Sequence, residues 1–171
     1  RTLTDRRGAI PPFIAETGGI NAMIADSSAL AEQVVRDVVR SAFDSAGQRC
    51  SAARVLLLQE EIADHVTEML TGAIAELKIG DPLDYATDVG PVIDDDAQTM
   101  LEAHKLAMRR NARELIDPPI PADCRAGTFV TPAAYAIDRM EVVEREVFGP
   151  ILHVVRYEGG HLDRVIKSIN A

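Results

Sequence analysis

Val55-Leu56-Leu57-Leu58-Gln59 is an apolar run with no polar alternation, the pattern of a strand covered on both faces rather than on one. Directly after it, Ile62, Val66, Met69, Leu70, Ile74 and Leu77 recur at helical spacing, so a helix over about 62–77 follows the strand. Upstream, Pro11-Pro12-Phe13-Ile14-Ala15-Glu16 and Ala22-Met23-Ile24-Ala25-Asp26 are brief apolar runs bounded by Pro or Gly, and both read as strands. Between the second of these and Val55, the spacing of Leu30, Val34, Val35, Val38, Val39 and Ala42 predicts a helix that Ser27 and Ser28 can cap and that runs out at Ser45-Ala46-Gly47. Downstream, Asp94 opens a helix to about Asn111, Arg113-Glu114-Leu115-Ile116 is a candidate strand, and strands near Thr128–Ala136 and Ile151–Tyr157 follow. Helices alternating with short buried strands predict an α/β fold: a mainly parallel sheet with helices on both faces.

With 171 residues, 47% of them hydrophobic, the chain suits a single domain over 1–171 around one core. A formal charge of −9 repels a phosphate backbone, which argues against nucleic acid as a partner. No stretch approaches the roughly 20 apolar residues of a membrane span, and Arg1-Thr2-Leu3-Thr4-Asp5-Arg6-Arg7 lacks the apolar core of a secretory signal. Two cysteines make no disulfide framework and suit a reducing, cytoplasmic setting. His65, His104, His153 and His161 are scattered without an i, i+4 pair or a Cys-x-x-Cys partner, so no metal site is expected, and Asp94-Asp95-Asp96 reads as a helix cap rather than a calcium loop. The chain closes inside the amphipathic run Leu162–Asn170 without a stop residue, as an excised piece of something larger would.

Chemistry concentrates in three places. Cys50 stands in Ser45-Ala46-Gly47-Gln48-Arg49-Cys50-Ser51, whose polar residues and glycine are poor core partners. Its thiol is either a packed small hydrophobe or a nucleophile on a polar loop, where Arg49 or backbone N–H groups favour the thiolate. Cys124 lacks such a setting and is expected on a surface loop with no catalytic role. Glu16, in Ala15-Glu16-Thr17-Gly18-Gly19, is a carboxylate at a strand end followed by two glycines that leave room for a ligand. In Glu146-Val147-Phe148-Gly149-Pro150 a carboxylate and a ring two residues apart precede a strand; they can meet a pair of ribose hydroxyls and an adjoining sugar or nicotinamide, or simply form a turn.

In this order and spacing the three motifs resemble the NAD(P)-dependent aldehyde dehydrogenase superfamily. More narrowly, Ala15–Ile24, Ser41–Ala52 and Arg145–Tyr157 are similar to the L-glutamate γ-semialdehyde (Δ1-pyrroline-5-carboxylate) dehydrogenase module of bifunctional bacterial proline-utilisation proteins, and the resemblance covers essentially the whole chain. It implies that Cys50 attacks a small aldehyde to give a thiohemiacetal and then a thioester, that Glu16 is the general base for hydrolysis, and that the Cys50 N–H is one oxyanion donor. It assigns Glu146, Phe148, Thr17 and Gly18 to NAD binding. It also nominates Ser51 for the substrate carboxylate, against the alternative of a hydroxyl that merely faces solvent. No Gly-rich strand–turn–helix for a pyrophosphate precedes these motifs. The resemblance therefore implies the central part of an aldehyde dehydrogenase catalytic domain, without the NAD-binding domain and C-terminal segment, inactive by itself. Its parent would be a homo-oligomer, with fusion to a proline dehydrogenase domain left open. Another semialdehyde as substrate, or a scaffold with an inert thiol, are the competing readings.

Overall fold

The computed structural model describes residues 18–170, together with Gly8, Ala9, Pro12 and Ile14. The expected strand Pro11–Glu16 otherwise lies outside the described residues. Five strands form one sheet, β1 (Ala22–Ala25), β2 (Val55–Gln59), β3 (Arg113–Ile116), β4 (Ala133–Ala136) and β5 (Ile151–Tyr157), in the order β1-β2-β5-β4-β3. All pairings are parallel except β3 with β4. Val55 faces both Ala22 and His153 across the ladder, so β2 lies between β1 and β5. Val55, Leu56, Leu57 and Leu58 are all buried, which confirms cover on both faces, and each contributes on the order of 1.5–3 kcal/mol by leaving water.

Among the described residues four α-helices accompany the sheet: α1 (Ala31–Phe43), α2 (Glu60–Ala75), α3 (Asp95–Asn111) and α4 (Leu162–Ile169). α1 buries Val35, Val38, Ala42 and Phe43, while α2 buries Ala63, Val66, Leu70 and Ile74, and the two pack together. α3 begins as expected, because the Asp94 carboxylate accepts from Ala97 N at 2.8 Å and so satisfies one of the free N–H groups of the first turn. Its last turn carries Arg109 and Arg110, which complement the helix dipole.

Three expectations need correction. Ser27 and Ser28 do not cap α1: the Asp26 carboxylate takes both the N–H (2.9 Å) and the hydroxyl (2.6 Å) of Ser28, and the helix starts at Ala31 behind Leu30 without a side-chain cap. Cys124 is not a surface residue; it is buried, its Sγ 3.7 Å from the Ile79 carbonyl. The strand placed near Thr128–Ala136 is confined to Ala133–Ala136, because Val92 N and the Thr128 carbonyl pair instead with each other at 2.8 Å, tying that stretch to a loop. Among the described residues no helix is long and apolar enough to cross a membrane.

Candidate active site

Parallel pairing places the leading ends of β1, β2 and β5 side by side, and each is preceded by one of the sequence motifs. Gly18-Gly19 precedes β1, Cys50 precedes β2, and Glu146-Val147-Phe148 precedes β5. Neighbouring strands are about 4.8 Å apart, so the three segments meet across one edge of the sheet.

The loop that carries Cys50 starts with an unusual backbone. Ser45, Ala46 and Gly47 have φ of 56°, 53° and 65°, three successive residues in the left-handed region, which costs a non-glycine residue about 1–2 kcal/mol. Gly47 has no alternative: a Cβ there would lie 2.2 Å from the Gly149 oxygen and 2.7 Å from that of Ala42. The turn ejects the chain from α1, and Cys50 and Ser51 emerge exposed. Cys50 is therefore no core hydrophobe. The Arg49 side chain is engaged elsewhere, its Nε donating to Ser45 Oγ at 3.0 Å.

Two side chains that sequence reasoning missed hold this loop. The Asn21 side-chain amide donates to the carbonyls of Cys50 (2.6 Å) and Ala52 (3.1 Å), while the Asn21 backbone carbonyl accepts from Arg54 N and Val55 N. Arg54 is fully buried, and its two terminal nitrogens donate to the carbonyls of Gly47, Arg49 and Gly149 and to Glu146 Oε1. Burial pulls its guanidinium below the ordinary arginine value, and Glu146 counters by hydrogen bond and charge. The only hint in the sequence is a lone arginine directly before the apolar run Val55–Leu58.

Glu146 reaches both neighbours. Oε1 meets Arg54 at 3.1 Å, and Oε2 accepts a longer bond, 3.3 Å, from Gly19 N. A Cβ at Gly18 would meet Glu146 Oε2 at 2.5 Å, so a larger residue there would displace the end of this carboxylate. Phe148 lies 5.3 Å from the Arg54 guanidinium carbon and stays 43% exposed, leaving ring surface for a ligand. A nicotinamide nucleotide fits this arrangement: an exposed ring, a carboxylate oxygen held only by a long bond, and a glycine gap beside it. Gly18, Cys50, Ser51, Glu146 and Phe148 thus all belong to this edge of the sheet. Glu16 and Thr17 lie outside the described residues.

A histidine pair backs the site. His153 Nδ1 is 3.0 Å from the Arg54 carbonyl, and its Nε2 is 2.9 Å from His104 Nε2. A carbonyl only accepts, so His153 carries its proton on Nδ1 and His104 donates from Nε2. The two histidines that looked scattered are thereby joined. Among the described residues, no three His, Cys, Asp or Glu side chains gather as a metal site would require.

Comparison with known proteins gives a consistent picture. Residues 2–171 match the aldehyde dehydrogenase family. The bifunctional protein PutA of Escherichia coli (strain K12) is 52% identical over 98% of this chain, which spans 13% of that protein. A 1-pyrroline-5-carboxylate dehydrogenase of a Geobacillus species is 31% identical over 81% of the chain and 27% of its own length. The crystal structure of a mutant Bradyrhizobium japonicum proline utilization A (PutA) superposes with a TM-score of 0.90 at 54% identity, covering 98% of this chain and 17% of that one.

Proposed function

The chain belongs to the aldehyde dehydrogenase family, and from that premise we propose that it is part of the catalytic domain of an NAD-dependent enzyme oxidising L-glutamate γ-semialdehyde to L-glutamate. The observation that carries this reading is the exposed Cys50 on a loop pinned by Asn21 and Arg54, with Glu146 and Phe148 on the adjoining segment that leads into β5. The semialdehyde is chosen because of similarity to PutA and to a 1-pyrroline-5-carboxylate dehydrogenase.

In this reading the Cys50 thiolate adds to the aldehyde carbon, and the Cys50 N–H helps hold the oxyanion that results. NAD, when bound, supplies the acceptor for the hydride that the adduct gives up. The Cys50 thioester is then hydrolysed by a water that Glu16 deprotonates, releasing the carboxylate product and restoring the thiol. Glu146, Phe148, Thr17 and Gly18 hold the cofactor, and the Ser51 hydroxyl, beside the nucleophile, donates to the substrate's own carboxylate. A flexible zwitterion with an aldehyde at one end and a carboxylate at the other matches a site that is open at Cys50 and offers Ser51 next to it. The 171 residues act as one domain within a longer, homo-oligomeric cytoplasmic polypeptide. The relatives named as bifunctional suggest a second activity elsewhere in that polypeptide, and the resemblance to bacterial proline-utilisation proteins makes a proline dehydrogenase domain the candidate.

The test is NAD-linked oxidation of L-glutamate γ-semialdehyde by the full-length protein. Cys50→Ser is expected to lower kcat at least about a thousandfold, because the hydroxyl is far less nucleophilic at neutral pH. Acid-quenched wild-type enzyme will carry an acyl group on Cys50. Turnover that survives Cys50→Ser would defeat the assignment.

A further inference from the structure

Arg54 is used by no step of the proposed chemistry, yet it stands where the two parts of the site join. Its Nη1 donates to the Gly47 carbonyl at 2.7 Å and the Gly149 carbonyl at 3.1 Å. Its Nη2 donates to the Arg49 carbonyl at 3.1 Å and Glu146 Oε1 at 3.1 Å. Each nitrogen thus spans both segments: one acceptor lies in the loop that presents Cys50, the other in the stretch before β5. Phe148 closes the group from solvent on one side. The Arg54 backbone carbonyl is fixed from behind by His153, through both N (2.9 Å) and Nδ1 (3.0 Å).

A fully buried guanidinium with one carboxylate partner is a poor way to gain stability, since an apolar residue of similar volume often does as well or better. What an arginine offers and an apolar residue does not is a rigid planar fork with fixed donor directions. We propose that Arg54 is a positioning residue that sets the separation between the Cys50 loop and the Glu146–Phe148 segment, so that the adduct on Cys50 and the cofactor held by Glu146 are presented to each other at one fixed distance. The proposal rests on the functional reading above. Lysine cannot substitute, because a single nitrogen reaches one segment or the other but not four acceptors in two.

The experiment uses the full-length protein with wild type, Arg54→Lys and Glu146→Gln. In folded Arg54→Lys the KM for NAD is expected to rise about tenfold and kcat to fall about tenfold, the effect of losing one charge-assisted hydrogen bond on each side. The aldehyde KM should stay within about twofold. Because a misplaced hydride acceptor slows the hydride step itself, the isotope effect on kcat with aldehyde-deuterated substrate will increase. A purely structural role would lower the amount of active enzyme and leave the NAD KM and the isotope effect unchanged, and that result overturns the proposal. If Arg54→Lys fails to fold, Glu146→Gln decides: without NAD, its Cys50 is expected to alkylate with iodoacetamide at least threefold faster than wild type, although Glu146 does not touch Cys50. An unchanged alkylation rate refutes the coupling. Wild-type protein without semialdehyde turnover would defeat the functional reading instead, and the alkylation comparison, which needs no turnover, would still decide the role of Arg54.

Discussion

Lowering the pH from 7.5 to 4 is expected to unload about 3 kcal/mol of stability through His153 alone. This residue is fully buried on β5, with Nδ1–H on the Arg54 carbonyl and Nε2 accepting from His104. Burial drives its pKa from the ordinary 6.5 down to about 4; the hydrogen bond to Arg54 pulls the other way, and the charges of His104 and Arg54 add to the fall. The sign follows from proton counting. Between pH 6.5 and 4 the unfolded chain has protonated this histidine and the folded chain has not, so the unfolded state binds more protons and stability falls as pH falls. The contribution is complete above 6.5 and gone below about 4. The span from 6.5 to about 4, at about 1.36 kcal/mol per pH unit, gives about 3 kcal/mol, a large share of the roughly 5–15 kcal/mol that holds a domain together. The assay is urea unfolding followed by far-UV circular dichroism across pH 7.5–4, for wild type and His153→Asn, whose amide can still donate to the Arg54 carbonyl but does not titrate. Carboxylate titration is common to both proteins, so their difference isolates the histidine. That difference is expected to shrink by about 3 kcal/mol toward pH 4; parallel curves would refute the reasoning.

Gly47→Ala is expected to cost about 3 kcal/mol or more, because the new methyl would collide with two backbone oxygens at a positive φ, and a loss under about 1 kcal/mol in urea unfolding would contradict the geometry. Asn21→Ala removes both amide bonds to the Cys50 loop, which predicts a loss of about 1–3 kcal/mol and faster iodoacetamide alkylation of Cys50; equal alkylation rates would show that the amide does not restrain the thiol. In the full-length enzyme, Ser51→Ala is expected to lower kcat/KM for glutamate semialdehyde about tenfold more than for an uncharged aldehyde of similar length, and equal losses would remove Ser51 from carboxylate recognition.

The legible parts of this fold are those whose signal is local. β2 was readable because both faces are buried, so its apolar run has no gaps, and α3 because Asp94 caps it two ways, by hydrogen bond and by charge. Cys50 and the Glu146–Gly149 stretch stood out by residue type and order. What stayed hidden depends on partners far away in the chain. Arg54 looks like a solvated strand end until Glu146 and Gly149, some ninety residues later, are folded over it. His104 and His153 are 49 residues apart and meet only because the fold brings one residue of α3 against one of β5. The same holds for Lys105, which an amphipathic reading leaves in water; it is buried between Asp117 (2.6 Å) and Thr131 (2.7 Å). Ser28 failed as a cap for the opposite reason, since a nearer acceptor, Asp26, captured both its donors.

The position of this site within the sheet follows from the pairing alone. In open parallel sheets ligands commonly gather beyond the carboxyl ends of the strands, where helices begin. Here the three motifs lie at the opposite edge, before β1, β2 and β5. Adjacent parallel strands all start at one edge, so residues preceding them are brought within a strand spacing or two of each other whatever their separation in sequence. Glu146 demonstrates the reach: from ahead of β5 it touches Arg54 just before β2 and, one strand further, Gly19 ahead of β1. An antiparallel β2 would send Cys50 to the far edge and leave Glu146 and Gly19 without a partner between them. The direction of β2, set by its place between two parallel neighbours with Val55 in register with Ala22 and His153, is therefore as necessary to the proposed thiol chemistry as the thiol itself.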